Sequence, residues 1–256
     1  MAKSPKGRIV GTLASAGVGE GTPLKKIRSI APLPSLSTRP ACSPPQDPSP
    51  WLAALAQAVP DPRCELDFQN PFQLLIATQL SAQSTDVMVN RVTPELFRRW
   101  PDAHSLAGAN PAEVELVLKP TGFFRNKTKN AIASAAMLVA KHLGEVPADM
   151  PALIALPGVA RKTANVVLGT AFGISSGVTV DTHVFRVTTR WGWHSESTPE
   201  KVEPILMRVV PRAGWPAFGH RVVLFGRYHC TARAPRCGGC VFEMLCPHGM
   251  SRPAGD

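Results

Sequence analysis

The sequence contains no apolar run that approaches the roughly 18 residues of a transmembrane helix. It also has no stretch in which apolar and polar side chains alternate strictly over several residues, the pattern typical of a half-buried strand. Both signals are missing although hydrophobic residues make up 44% of the 256 residues. We therefore predict an all-α protein without a membrane span, in which many short helices bury the apolar side chains.

Acidic residues are scarce compared with basic ones. The chain has 18 Asp and Glu against 28 Lys and Arg, a net charge of +10. An excess of this size favours a polyanionic partner, nucleic acid before an anionic membrane. Residues 1–50 carry seven basic and two acidic side chains, so the rest of the chain is basic as well. Because this first segment is rich in Pro, Ser and Gly and lacks apolar periodicity, we predict a disordered extension over residues 1–50.

Helical patterns begin at Trp51. Apolar residues recur at spacings of three and four through PFQLLIATQLSAQSTDVMVNRV, which predicts a helix over that stretch. The segment KTKNAIASAAMLVAKHLG predicts another, with Asn126 as its cap and Gly144 as its end. Two more helices are expected to begin at Thr198, in TPEKVEPILMRVVP, and at Asp181, in VDTHVFRVTTRW, with these residues as N-caps.

Four of the six cysteines lie within 17 residues, with the spacing C-x6-C-x2-C-x5-C. Short loops of this kind hold thiolates close enough to bind one metal centre. Zinc sites usually contain two C-x2-C pairs and this segment has one, so the spacing leaves zinc and iron–sulfur both open. Disulfides are the alternative, which a chain of intracellular appearance disfavours. The four candidate ligands are Cys230, Cys237, Cys240 and Cys246.

The stretch LPGVARKTANVVL does not match the phosphate-binding loop of nucleotide hydrolases, which needs Gly-Lys-[Ser/Thr] after an earlier glycine. It predicts instead a helix, a tight turn at Gly158 and a second helix starting near Arg161. Backbone N–H groups at such a turn can bind a phosphate oxygen, whereas the alternative is an ordinary helical hairpin with a basic corner. Lys162 would lie at a helix N-terminus, where the dipole disfavours the ammonium form and a free amine can act as a nucleophile.

Together with TQLSAQSTDVMVN and GRYHCTARAPRCGGC, these motifs resemble, in order, the endonuclease III family of DNA glycosylases in the helix-hairpin-helix superfamily. The resemblance spans about residues 51–248 and implies two helical domains flanking a DNA-binding cleft. The implied divisions are a six-helix domain at 64–173 with the hairpin at about 150–173, an iron–sulfur domain at 51–63 plus 174–248, and a tail at 249–256.

The resemblance also implies an activity. Family members of this kind remove oxidised pyrimidines from double-stranded DNA and cleave the resulting abasic site by β-elimination. Lys162 corresponds to the nucleophile that attacks C1′ and forms a Schiff base, and Asp181 to the carboxylate that assists it. The four clustered cysteines would bind a [4Fe–4S] cluster. We expect a monomer in the bacterial cytoplasm, associated with the nucleoid.

Further positions are matched to DNA contacts. Gln83 corresponds to a residue that fills the gap left by a flipped nucleotide, and Phe123, with Phe124 as the alternative, to an apolar wedge. Ala160 stands where the family usually has glycine, and would be strained if that position required a positive φ. His183 is either a phosphate contact or a packed ring. Besides Gln83 and Phe123, the candidates for DNA binding are therefore Gly158, Ala160, Arg161, His183, Arg233 and Arg236.

Two other functions compete with this one. A monofunctional adenine glycosylase would share the hairpin, the aspartate and the cluster, but such enzymes typically lack a lysine at the Lys162 position and carry an extra C-terminal domain. A non-catalytic helix-hairpin-helix protein would lack Lys162 or Asp181. The sequence has both residues, so we expect the bifunctional enzyme.

Overall fold

Residues 42–251 are described by a computed structural model of the chain. Over this range all regular structure is helical and no strand is present, which confirms the all-α prediction. Short 3-10 turns lie at Lys119–Thr121 and Arg212–Gly214. The α-helices are α1 (Ser49–Ala58), α2 (Pro71–Leu80), α3 (Asp86–Arg99), α4 (Ala103–Ala107), α5 (Pro111–Leu118), α6 (Phe124–His142), α7 (Met150–Ile154), α8 (Arg161–Ala171), α9 (Thr182–Arg190), α10 (Pro199–Val209), α11 (Trp215–Tyr228) and α12 (Pro247–Met250).

The described residues do not include positions 1–41, which are most of the predicted extension at 1–50. They also do not include positions 252–256 of the predicted tail at 249–256. Helix α1 begins at Ser49, inside the last two positions of that extension. None of the helices between residues 42 and 251 combines the length and hydropathy that crossing a membrane requires.

Buried apolar side chains form two clusters. The first lies between residues 66 and 168 and is mostly aliphatic. The second joins α1 to the chain after residue 178 and is rich in aromatic rings. Trp51 on α1 lies with its ring centroid 5.2 Å from that of Trp191 and 5.5 Å from that of Trp193, and Phe242 lies 4.7 Å from Trp191. These rings hold α1 against elements more than a hundred residues later in the chain.

The helix predicted through PFQLLIATQLSAQSTDVMVNRV is wrong as a single element. The structure has two helices there, α2 and α3, separated by a turn at residues 81–85. Gln83 takes the left-handed conformation, with φ 54, and cannot continue a right-handed helix. The Thr85 side chain then accepts a hydrogen bond from the Met88 N–H and starts α3. Periodicity alone did not separate the two helices, because both bury apolar residues at helical spacing.

The start of α6 also differs from the prediction. Asn126 lies inside the helix, and the N-cap position is occupied by Phe123, whose φ is 47 and whose side chain makes no capping bond. The end agrees: the helix stops at His142, Leu143 is left-handed, and the Gly144 N–H donates to the Leu138 carbonyl at 3.0 Å. Asn126 was predicted as the cap because asparagine is a common N-cap residue. The conformation of the loop before the helix instead makes α6 begin at Phe124, two residues before Asn126.

An extended segment leads from α8 to α9. Val178 and Val180 are both buried in the second cluster and anchor this segment on each side of Thr179. Helix α11 packs closely against this segment and against α9. A Cβ built at Gly219 would lie 3.6 Å from the Thr179 backbone, and one built at Gly226 would lie 3.0 Å from the His183 Cβ. This packing fixes the start of α9 against the C-terminal end of α11.

Candidate functional site

The hairpin turn between α7 and α8 is held from behind by two other helices. The Pro157 carbonyl accepts hydrogen bonds from Gln79 Nε2 at 3.0 Å and from the Ser134 hydroxyl at 2.7 Å. Gly158 has φ +74, and a Cβ at that position would lie 2.6 Å from Asn130 Nδ2. Glycine is therefore required there both by the backbone conformation and by the space.

Ala160 is not strained. It has φ −86 and ψ 166, an extended conformation open to any residue, so this departure from the family's usual glycine has no backbone cost. Ala160 occupies the N-cap position of α8, and no side chain caps the helix. Arg161 and Lys162 in the first turn are both exposed. Uncapped N–H groups at a helix start are a suitable binding site for an anion.

Glu203 on α10 partners the first turns of α8, and it was not among the residues predicted from the sequence. Its Oε2 accepts from Arg161 Nε at 2.9 Å, its Oε1 accepts from Asn165 Nδ2 at 2.9 Å, and its side chain is 13% exposed. The Ser176 hydroxyl donates to Asn165 Oδ1 at 2.9 Å. A Cβ at Gly177 would overlap the carboxylate. The network offsets the positive charge of Arg161 at the helix start, and no local pattern marks a pairing across 42 residues.

Asp181 is confirmed as the N-cap of α9. Its Oδ1 accepts hydrogen bonds from the His183 and Val184 N–H groups, each at 2.8 Å. Among the described residues all side-chain hydrogen bonds of Asp181 go to Oδ1, so Oδ2 is left for another partner. The carboxylate is half-buried at the end of the extended segment.

His183 is a packed ring rather than a free surface group. Its Nδ1 lies 3.2 Å from Arg186 Nη2, and since a guanidinium only donates, Nδ1 must accept. Burial is the main cause that lowers the pKa of His183, and the nearby Asp181 carboxylate acts in the opposite direction. The ring thus lies beside Asp181 in contact with α9 and α11.

Gln83 and Phe123 are both exposed and both take a left-handed backbone conformation, with φ 54 and 47. Such a conformation costs a non-glycine residue about 1–2 kcal/mol, and strain of this kind often accompanies functional positions. Phe123 is 66% exposed. Phe124 instead packs on the first cluster, and the Arg125 guanidinium lies 5.5 Å from the centroid of its ring.

The four clustered cysteines line one cavity. Trp191, Phe225 and Phe242 enclose it on the side of the second cluster. Arg190 on α9 donates from Nη1 to the Cys230 sulfur at 3.2 Å and to the Thr231 carbonyl at 2.6 Å. All six cysteines of the chain are among the described residues, and all are free thiols. The loop between the first two of the four cysteines carries Arg233 and Arg236, both exposed.

Between residues 42 and 251 no group of three or more His, Cys, Asp or Glu is arranged to hold one metal ion. Burial, followed by the neighbouring thiols Cys246, Cys230 and Cys237, raises the pKa of Cys240 to about 12. Thiolates in such a place need a positive centre to stabilise them, as a metal centre would.

Eight of the predicted site residues fall into three groups. Lys162 and Asp181 lie at the starts of the consecutive helices α8 and α9, both of which contact α11. Gln83 and Phe123 lie on the turns before α3 and α6. The four cysteines lie at the opposite end of α9 from Asp181, where Arg190 contacts them.

Comparison with known proteins identifies the class first. A family model described as "HhH-GPD superfamily base excision DNA repair protein" matches residues 76–212. This range includes the hairpin, Lys162 and Asp181. It ends before the first of the four clustered cysteines.

Individual relatives identify the family within this class. Endonuclease III of Synechocystis sp. is 48% identical over 200 residues, covering 78% of this chain and 91% of the relative. Endonuclease III of Escherichia coli K12 is 46% identical over 200 residues, covering 77% and 93%. A solved structure described as a non-covalent endonuclease III–DNA complex matches with a TM-score of 0.75 at 44% identity, covering 78% of this chain and 94% of that one. The chain belongs to the endonuclease III family of base excision DNA repair enzymes.

Proposed function

We propose that this protein excises oxidised pyrimidines from double-stranded DNA and then cleaves the abasic site that remains. The observation that carries the proposal is the placing of Lys162, exposed in the first turn of the uncapped helix α8, immediately behind the hairpin turn. Family membership supports glycosylase and lyase activity. The lysine supports the bifunctional form of the reaction, because a primary amine can replace the base and stay attached to the sugar.

The reaction is a sequence of proton and electron-pair movements at the sugar. The Lys162 Nζ lone pair attacks C1′, and the glycosidic bond breaks, leaving its electron pair on the base, which takes up a proton. Opening of the sugar ring gives an iminium between Nζ and C1′. Loss of a proton from C2′ then expels the 3′ phosphate, and water hydrolyses the Schiff base and frees the lysine.

Asp181 would assist this chemistry through its unengaged oxygen. Oδ1 is occupied by the two N–H groups of α9, which hold the carboxylate in one orientation. Oδ2 is then available to stabilise positive charge developing on the sugar and to take part in proton transfer from the attacking amine. His183, packed beside the carboxylate, would limit its movement.

DNA would be held mainly through its phosphates. The backbone N–H groups at Gly158, Ala160 and the uncapped start of α8 suit the binding of one phosphate. Arg161 is exposed and binds Glu203 through Nε, so its Nη groups are available to the same phosphate. Arg233 and Arg236 on the cysteine loop would contact a second stretch of backbone. The net charge of +10 supports the attraction of a polyanion.

The substrate nucleotide must leave the base stack, since C1′ is inaccessible to Lys162 within a duplex. Gln83 and Phe123 are the side chains suited to occupy the space left behind. Both project from turns, both are exposed, and neither has a packing role in the two clusters.

We infer that the four clustered cysteines bind a [4Fe–4S] cluster. The donor set fits: four thiols line one cavity, aromatic side chains enclose it, and an arginine donates to one sulfur. The cluster would hold the loop of residues 230–246 in one conformation and keep Arg233 and Arg236 in place. It supplies no group to the reaction at C1′.

The two hydrophobic clusters support the domain division expected from the family. We propose a six-helix domain at residues 64–173 and a cluster domain from 51–63 and 174–248, with DNA in the cleft between them. We also propose that the protein acts as a monomer in the bacterial cytoplasm, on nucleoid DNA.

Borohydride trapping tests the proposal. The wild-type protein should form a covalent adduct with an abasic-site duplex, and Lys162→Gln should form none. Lys201→Gln, which changes an exposed lysine on α10, is the matched control and should trap normally. Full trapping by Lys162→Gln would exclude Lys162 as the nucleophile. The same assay over duplexes with different oxidised pyrimidines, normal bases and mispaired adenine then defines the substrate range.

A further inference from the structure

Lys127 is a buried lysine that the reaction at C1′ does not use. It lies in the first turn of α6, and only 7% of the residue is exposed. Among residues 42–251 no acidic side chain lies within ion-pair distance of its ammonium group. Desolvation lowers its pKa below the ordinary value for lysine. A charge buried without a counter-charge is unfavourable, so its one strong polar contact is informative.

That contact reaches the loop before the helix. Lys127 Nζ donates to the Thr121 carbonyl at 2.8 Å, and the Lys127 backbone N–H donates to the Phe123 carbonyl at 3.1 Å. The bond to Phe123 is the i to i−4 hydrogen bond at the start of helix α6, which any residue at position 127 makes. The contact that depends on the lysine side chain is the one to the Thr121 carbonyl, next to Gly122 and the exposed Phe123.

The loop needs such support because its backbone is unusual. Gly122 and Phe123 have φ 68 and 47, two successive residues with positive φ, and Phe123 is left-handed. Thr121 is 3% exposed, and its hydroxyl already donates to the Leu118 carbonyl at 2.8 Å. The Thr121 carbonyl is thus turned into the protein, where an unpaired acceptor would be unfavourable. Lys127 supplies the donor from below the loop.

We propose that Lys127 is a positioning residue that holds the 121–123 loop in the conformation that presents Phe123 to the base stack. The inference rests on the proposed role of Phe123 as a wedge. A long side chain that only filled space in the first cluster would need no ammonium group at its end. The hydrogen bond to Thr121 and the left-handed turn beside it point to control of the loop.

A double-mutant comparison tests the inference on the full-length protein. The variants are Phe123→Ala, Lys127→Met and the two combined, with Lys129→Met, an exposed lysine on the same helix, as the matched control. Single-turnover cleavage is measured on an abasic site in a duplex and on the same site in a single strand, which has no opposing stack for a wedge to enter.

We expect Phe123→Ala and Lys127→Met each to slow duplex cleavage by about tenfold or more, because misplacing a positioning group is enough to lose that factor. The combined variant should be no slower than Phe123→Ala. Single-strand cleavage by Lys127→Met should stay within about twofold of wild type, since Lys162 is untouched. Lys127→Arg, which keeps a cationic donor, should recover part of the duplex rate.

Three results would overturn the inference: additive losses in the combined variant, equal losses on single strands and duplexes, or a Lys127→Met variant that changes only the melting temperature. If Lys127→Met does not fold, Lys127→Gln, whose amide is polar but whose side chain is one bond shorter, is measured against the same pattern. Normal duplex cleavage by Phe123→Ala would overturn the wedge and this inference together. Failure of Lys162-dependent trapping would instead overturn the proposed reaction.

Discussion

The starts of α8 and α9 are opposite in chemistry, although they are consecutive helices. Helix α9 begins with an aspartate whose Oδ1 accepts from two N–H groups, so its positive end is satisfied by the protein's own carboxylate. Helix α8 begins at Ala160 without a capping side chain, and it places Arg161 and Lys162 where the helix dipole is unfavourable for cations.

The difference shows how two helix ends can take separate parts in one reaction. A capped end holds a carboxylate still and offers its second oxygen. An uncapped end leaves N–H groups for an external anion, and a bound phosphate would also offset the charges of Arg161 and Lys162. Glu203 already offsets part of that charge from within the protein. Substitutions at one end at a time should separate these parts, with the largest effect expected at Asp181 and the smallest at Ala160.

The largest effect is expected from Asp181→Asn. Asparagine caps a helix as well as aspartate does, so the melting temperature should stay near that of wild type. Base release should slow by about 10²-fold, the lower range for loss of a proton-transfer group. Single-turnover excision and thermal unfolding check this. The control is Asp102→Asn, which changes the N-cap of α4 and should leave excision unchanged. An unfolded or DNA-binding-deficient Asp181→Asn would favour a cap role alone.

Gly158→Ala should damage the uncapped end through its turn. The new Cβ meets the Asn130 side chain at 2.6 Å and φ +74 disfavours alanine, so we expect a loss of about 1–3 kcal/mol in the free energy of unfolding. Affinity for an abasic duplex should fall as well. Urea unfolding and a binding titration measure both. Gly238→Ala, at a glycine with no neighbour within 4 Å of its added Cβ, is the control.

Glu203→Gln should have a smaller effect. The glutamine amide has one oxygen in place of two, so it cannot accept from both Arg161 and Asn165, and it leaves the guanidinium without a counter-charge. We therefore expect the free energy of unfolding to fall by about 1–2 kcal/mol. Glu200→Gln, at an exposed position on the same helix, should change little. Urea unfolding of the two variants measures this difference. Equal stabilities would show that the Glu203 network contributes nothing measurable to the free energy of unfolding.

Ala160→Gly should have the smallest effect. Since φ at this position is −86, glycine brings no relief of strain and only adds freedom to the unfolded chain, at about 0.4–1 kcal/mol. DNA affinity should not improve. A clear gain in DNA affinity would mean that the turn prefers a left-handed residue at 160 when DNA is bound, whereas a clear gain in stability would show that the N-cap preference of glycine outweighs its added freedom. Thermal unfolding and the same binding titration measure these quantities.

Features that depend on neighbouring residues were predictable. The N-cap at Asp181 follows from an acidic residue directly before a helical pattern, and the end of α6 from a glycine after one. The cysteine spacing predicted that four thiols would meet, and they line one cavity. The hairpin with Gly158 also follows from its local pattern. In each case the interacting groups are close together in the chain.

Features that depend on distant partners were not predictable. The break between α2 and α3 is a local exception: the cap at Thr85 is encoded nearby, but it was missed because both helices bury apolar residues with the same period. Phe123 and Phe124 are adjacent and chemically identical, and packing against the first cluster decides which of them is exposed.

The amino-acid sequence by itself thus determined the helical class, the order of the motifs, the capped start of α9 and the convergence of the cysteines, because short-range hydrogen bonds and side-chain periodicity specify them. Only the tertiary structure decided that Glu203 partners Arg161 across 42 residues and that Gln79 supports the turn across 78. The same holds for the burial of Lys127 below the loop of Phe123, which depends on the packing around it. Contacts of this kind form when separate helices pack together, and no local pattern encodes their pairing.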